Sequence, residues 1–170
     1  MARDTFRSLA RRVGAGLKRR RLMLATAESC TGGWIAQAVT SVPGSSAWFE
    51  RGFVTYSNRS KKEMLGVRAR TLVRHGAVSE AVAREMAAGA LAHSRAQLAL
   101  AVTGVAGPEG GTKAKPVGMV CFAWARKKGG VRSAVLRFRG GRESIRRQSV
   151  GAALLGVLEQ LKEPECSCPP

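Results

Sequence analysis

The segment from Leu22 to Val39 constrains the fold of this chain more than any other. The apolar run Leu22-Met23-Leu24-Ala25-Thr26 has the length of a buried strand. Ala27-Glu28-Ser29-Cys30-Thr31-Gly32-Gly33 follows, and Trp34-Ile35-Ala36-Gln37-Ala38-Val39 then reads as helix. A strand that passes through a glycine pair into a helix opens an α/β unit, because the helix must pack back onto a sheet. The junction also brings a hydroxyl and a thiol to a helix N-terminus, where N–H groups are free and the dipole is positive. Small anions and developing oxyanions are held at such ends.

The same alternation continues along the chain. Helices are predicted over residues 4–20, 31–42, 60–65, 79–95 and 142–162, with a helical turn at 71–75. Strands are predicted over 22–26, 52–56, 97–102, 117–126 and 131–138. Asn58 is the expected cap of the third helix, and Ser79 of the next, with Val82, Met86, Ala90 and Leu91 on one face. Gly129-Gly130 joins the last two strands as a hairpin, so the sheet is mixed. The expected fold is α/β, a three-layer α/β/α sandwich with a mixed, mostly parallel sheet. One domain is expected over residues 1–163, followed by a flexible tail at 164–170.

Composition narrows the class. The 170 residues, 45% of them hydrophobic, suffice for a real core. No apolar run reaches the length of about 18 residues that a membrane span needs. The N-terminal stretch is rich in arginine, yet Phe6, Leu9, Ala10, Val13 and Leu17 recur at helical spacing, which marks an integral first helix rather than a targeting peptide. Four cysteines, none in a C-x-x-C pair, and only His75 and His93 to join them give no metal site. A reduced cytoplasmic protein is expected. Lys and Arg number 29 against 11 Asp and Glu, a net charge of +18. Such a charge fits either an anionic partner or a solvated arginine-rich surface. With aromatic residues at only 5%, stacking platforms for nucleic acid are scarce, and a basic nucleic-acid-binding module is the alternative reading rather than the main one.

Two further stretches carry chemistry. Gly104-Val105-Ala106-Gly107-Pro108-Glu109-Gly110-Gly111 follows a strand, where open α/β sheets bind ligands. It matches neither the dinucleotide fingerprint nor a Walker A sequence, so no nucleotide cofactor is called for. Ser46, Tyr56 and Lys61 form the other constellation. A serine nucleophile needs a base, and a neutral lysine can be one. Its ordinary pKa near 10.4 must then fall by about 3 units, which burial and surrounding positive charge favour. On spacing alone the plainer reading is stronger: a turn serine, a core tyrosine and a solvated lysine.

Taken together, these residues change that balance. Ala27-Glu28-Ser29-Cys30-Thr31-Gly32-Gly33, the run from Pro43-Gly44-Ser45-Ser46 to Tyr56-Ser57-Asn58, His75-Gly76-Ala77-Val78-Ser79-Glu80, Thr103-Gly104-Val105-Ala106-Gly107-Pro108 and Lys115-Pro116-Val117-Gly118 stand in one order. In that order the chain resembles the CinA C-terminal domain family, above all its stand-alone nicotinamide-nucleotide amidohydrolases, over roughly residues 5–160. The resemblance implies hydrolysis of the carboxamide of nicotinamide mononucleotide to nicotinate mononucleotide and ammonia, without metal or cofactor. It implies Ser46 as nucleophile, Lys61 as general base and Tyr56 in support of proton transfer. Ser29, Thr31, Gly32, Thr103 and Gly104 would line the pocket, and Arg142 would meet the substrate phosphate. It also implies a homo-oligomer. Gly140-Gly141-Arg142 departs from the Gly-Asp-Arg of many relatives and removes an acidic neighbour of the arginine. A rival assignment makes Ser29 or Cys30 the nucleophile, since a thiol beside a helix N-terminus can have a lowered pKa.

Overall fold

A computed structural model describes residues 2–162, with side chains from residue 6 onward. The segment 164–170, with Cys166 and Cys168, lies outside the described residues. The helices are α1 (Ala2–Arg20), α2 (Trp34–Thr40), α3 (Asn58–Leu65), α4 (Ala69–His75), α5 (Glu80–Ala92) and α6 (Arg142–Lys162). The strands are β1 (Leu24–Glu28), β2 (Phe49–Val54), β3 (Leu98–Gly104), β4 (Met119–Arg126) and β5 (Val131–Arg137), and a 3-10 turn covers Ser45–Ala47.

The five strands form one sheet in the order β2-β1-β3-β4-β5. β1 pairs in parallel with β2 and β3, whereas β3–β4 and β4–β5 are antiparallel. The expected three-layer fold with a mixed sheet is therefore the one adopted. Strand alternation explains the two faces. Leu24, Leu98, Leu100, Val102, Phe122 and Trp124 point to the side covered by α1, α2 and α6. Ala25, Ala27, Ala99, Ala101, Ala123 and Ala125 point to the other, where α5 lies on the sheet with α3 and α4 beside it. Small side chains let α5 sit close. At Gly89 of α5 a Cβ would stand 1.9 Å from the Leu65 carbonyl oxygen, so only glycine permits this approach of α5 to the end of α3.

The elements differ from expectation mainly at their ends, and each shift has a cause. α2 starts at Trp34 rather than Thr31, because Gly32 and Gly33 take positive φ and form a turn first. β1 runs on to Glu28, and β2 begins earlier and stops at Val54, leaving Tyr56 beyond the strand. The cap of α3 is Ser57 rather than Asn58: its hydroxyl accepts from the Ser60 N–H, and the Ser60 hydroxyl accepts from the Ser57 N–H. Ser79 caps α5 as expected, accepting from the Val82 N–H.

Topology fixes where a ligand can sit. β1 and β2 are parallel neighbours, yet α2 leaves β1 toward one face of the sheet and α3 leaves β2 toward the other. Diverging connections open a crevice at the carboxyl ends of the two strands.

Candidate active site

A cavity of about 200 Å³ occupies that crevice. Its walls are Ser29 and Cys30 after β1, Tyr56 after β2, Lys61 of α3, Ala77 and Val78 before α5, Thr103, Gly104 and Ala106 at the end of β3, and Arg142 at the start of α6. Ser29, Tyr56, Lys61, Thr103, Gly104 and Arg142, all expected from the sequence, thus meet in one place.

Lys61 is the centre of the site. It is 1% exposed, a rare state for an amine. Its Nζ lies 2.7 Å from the Thr55 carbonyl, 3.4 Å from the Tyr56 carbonyl and 3.0 Å from Ser29 Oγ. All these neighbours are neutral. Burial holds the Lys61 amine below its ordinary pKa, because the charged form loses water, while the nearby Cys30 thiol acts weakly the other way. A neutral lysine has two N–H donors and one lone pair. Two carbonyls can take the donors, leaving the lone pair toward Ser29.

The loop carrying Ser29 is fastened from within. Glu28, 1% exposed, accepts from the Gly33, Ile35 and Ala36 N–H groups at 3.1, 3.0 and 2.8 Å and from the Thr31 hydroxyl at 2.7 Å. The free N–H groups expected at the start of α2 are therefore held by the chain's own carboxylate, not offered to a ligand. Thr31 is fully buried and turned to Glu28, and Gly32 is exposed outside the cavity, so neither lines it. The sequence pattern did not single out Glu28 for this task. Its signal was available: an acid directly after an apolar strand and before a helix start is the placement a helix cap requires.

The mouth is built differently. Tyr56 is 62% exposed, and its hydroxyl accepts from Arg142 at 3.0 Å. Arg142 also donates to the Gly107 carbonyl at 2.8 Å. Tyr56 therefore reaches toward the base only with its backbone, while its phenol belongs to the rim. Thr103 is 1% exposed and donates to the Ala77 carbonyl at 2.9 Å, tying β3 to the segment before α5. On the far side of the loop after β3, Lys115 donates to the His75 carbonyl and pins that loop to the end of α4.

Ser46 stands elsewhere. It lies exposed in the 3-10 turn before β2, whose first residue Phe49 pairs with Leu24 at the start of β1. Lys61 contacts the residues just beyond the opposite ends of these strands. Six residues of β2 separate the two positions, roughly 20 Å at ~3.3 Å per residue. Within one chain the expected Ser46–Lys61 pair is not formed, and Ser29 occupies the place beside the lysine. Cys30, the other rival, is a poor nucleophile here: burial pushes its thiol up to about 12.

Among the described residues no cluster of three or more His, Cys, Asp or Glu side chains could hold a metal ion. Nor is any described helix long and apolar enough to cross a membrane.

Known proteins are similar to this chain in sequence and in fold. The nicotinamide-nucleotide amidohydrolase PncC of Escherichia coli (strain K12) is 50% identical over 160 residues, covering 94% of this chain and 97% of the relative. The protein of the same name from Pseudomonas putida is 53% identical over 156 residues, 92% of this chain and 97% of the relative. The crystal structure of the competence/damage inducible protein CihA from Agrobacterium tumefaciens superposes with a TM-score of 0.90 at 48% identity, covering 94% of this chain and 96% of that one. The family model of the CinA C-terminal domain matches residues 6–161. By sequence and by fold, the chain belongs to the CinA C-terminal domain family.

Proposed function

We propose that the protein hydrolyses the carboxamide of nicotinamide mononucleotide, with Ser29 as nucleophile and Lys61 as general base. The observation that carries this reading is the 3.0 Å contact between a buried amine of lowered pKa and a serine hydroxyl on the cavity wall. The curated relatives' activity on nicotinamide nucleotides supplies the substrate class.

In this mechanism the Ser29 hydroxyl passes its proton to Lys61 Nζ as Oγ bonds to the carboxamide carbon. The C–N bond of the tetrahedral intermediate then breaks, and the Lys61 proton goes to the departing nitrogen, which leaves as ammonia. Water attacks the acyl-serine ester, again losing a proton to Lys61. Collapse of that intermediate frees the nicotinate carboxylate and restores the serine. The Cys30 N–H, next along the chain from the nucleophile, is the donor assigned to the oxyanion.

A cavity of about 200 Å³ takes the nicotinamide end of the substrate, leaving the phosphate at the mouth with Arg142 and Tyr56. The guanidinium can form two parallel bonds to a phosphate once it leaves Gly107 and Tyr56. The reading extends to pyridine-nucleotide salvage in the cytoplasm and to a homo-oligomer, as the resemblance implies.

The test is ammonia release from nicotinamide mononucleotide by purified wild type, Ser29→Ala and Ser46→Ala proteins. The reading expects turnover by wild type and Ser46→Ala only. An inert wild type removes the substrate, and an active Ser29→Ala removes the nucleophile.

A further inference from the structure

Arg146 lies one helical turn along α6 from Arg142, but it faces the backbone of the Ser29 loop rather than the cavity. Its Nε donates to the Cys30 carbonyl at 3.0 Å and its Nη2 to the Thr31 carbonyl at 2.9 Å. Its guanidinium sits 5.3 Å from the centre of the Trp34 ring, a cation–π distance. The side chain is half-buried.

These contacts complete the fastening of one short loop. Glu28 holds the N–H edge through Gly33, Ile35 and Ala36. The Ser29 N–H donates to the Val102 carbonyl, and the Ser29 carbonyl accepts from the Gly32 N–H, both at 3.0 Å. Arg146 takes the Cys30 carbonyl and shares the Thr31 carbonyl with the Trp34 N–H, which donates to it at 3.2 Å. Peptide units are rigid planes, so fixing the Cys30 and Thr31 carbonyls fixes the two planes that follow Cys30. A planar guanidinium fork can span two successive carbonyls, which a single ammonium cannot.

We infer that Arg146 is a positioning residue for the reaction: through the Cys30 and Thr31 carbonyls it holds the Ser29 hydroxyl against Lys61 and touches no substrate. The inference rests on the assignment of Ser29 and Lys61 as nucleophile and base. It explains why a second arginine, four residues from the phosphate-facing one, points inward. Misplacing a reacting group by an ångström costs on the order of 10²-fold in rate, which sets the expected size of the effect.

The experiment compares Arg146→Ala and Arg146→Lys with wild type and Ser29→Ala in two assays. In turnover of nicotinamide mononucleotide, Arg146→Ala lowers kcat by on the order of 10²-fold with KM changed less than about threefold, and Arg146→Lys recovers only part. Millimolar guanidinium restores part of the Arg146→Ala rate and none of the Ser29→Ala rate. The acid limb of the kcat/KM profile stays in place, because Lys61 keeps its burial. The second assay is the rate of covalent labelling of Ser29 by a fluorophosphonate, which needs no natural substrate; Arg146→Ala slows it in parallel. Labelling of Arg146→Ala at the wild-type rate overturns the inference, as does a loss confined to KM. A wild type that labels at Ser29 but leaves the mononucleotide intact overturns the substrate and leaves the role of Arg146 standing. Absence of Ser29 labelling in active wild type overturns both.

Discussion

Arg142 donates to the Tyr56 hydroxyl at 3.0 Å, joining residues 86 positions apart across the mouth of the cavity. The same guanidinium holds the Gly107 carbonyl, so three chain segments meet on one side chain. The phenol is thereby turned away from Lys61, toward the place where a phosphate would enter. Arg142→Ala should raise KM for nicotinamide mononucleotide by about 10- to 100-fold, the loss of a charge-assisted pair, and leave kcat within a few-fold. Tyr56→Phe should change KM less, by about three- to tenfold, since it removes one hydroxyl partner of the Arg142 guanidinium and no charge. Steady-state kinetics on the mononucleotide and on the riboside, which has no phosphate, checks both: the riboside should be insensitive to Arg142→Ala.

On the proposed mechanism Ser29 and Lys61 act as a unit, so removing either should abolish most of the rate. Ser29→Ala and Lys61→Met are each expected to lower kcat by at least about 10³-fold, with little further loss in the double variant. Cys30→Ala and Ser46→Ala should keep turnover within about threefold, the first because the thiol is protonated and the second because it stands outside the cavity. Ammonia release by the five proteins measures this directly.

The pH dependence follows from the burial of Lys61. Its folded pKa is lowered, so the neutral base is populated below the ordinary lysine value, and kcat/KM should rise with pH to a plateau reached below about 10.4. Stability has the same sign. Between the folded pKa and the unfolded one the unfolded chain binds more protons, so stability gains from this group as pH rises through that window. Lys61→Met should flatten the slope of Tm against pH there, which thermal melts at several pH values will read.

Glu28→Gln tests the internal cap. The amide keeps one acceptor but turns a donor toward N–H groups already pointing at it. Leaving such groups unpaired costs about 1–3 kcal/mol, a Tm lower by roughly 2–12 °C for a chain of this size. Differential scanning fluorimetry gives the shift, and partial loss of turnover should accompany it because Ser29 is the next residue.

Much of the fold was legible from local pattern, because strand length, helix spacing and the hydroxyl cap at Ser79 are short-range signals. The hairpin at Gly129-Gly130 was legible for the same reason. The site was legible in its members but not in its pairing. Ser46 precedes β2 and Lys61 follows it, so the strand holds them apart, and the parallel register of β1 with β2 shows which residue of β1's end takes the place beside the lysine. Ser29 comes within reach of Lys61 because β1 and β2 end together, a fact no spacing along the chain records. The Arg146 contacts likewise depend on how α6 returns to the Ser29 loop, whereas the Glu28 cap is local and had a signal in the sequence.

α5 lies so close to the end of α3 that Gly89→Ala would drive a methyl into the Leu65 carbonyl. Overpacking of this kind costs about 1–3 kcal/mol and should also displace α3, which carries Lys61, so turnover and Tm should fall together.

The Glu28 carboxylate has one more effect, on charge rather than shape. A nicotinamide ring joined to ribose through its nitrogen is a cation, and on the proposed reading it comes to rest beside Ser29, whose loop leads into α2. That helix end is already capped from inside by a carboxylate, and burial holds the Lys61 amine below its ordinary pKa, so both lessen the positive charge such a ring would meet. In a molecule with a formal charge of +18, such a recess would let the positively charged ring of the proposed substrate settle among arginines while its phosphate stays with them at the rim.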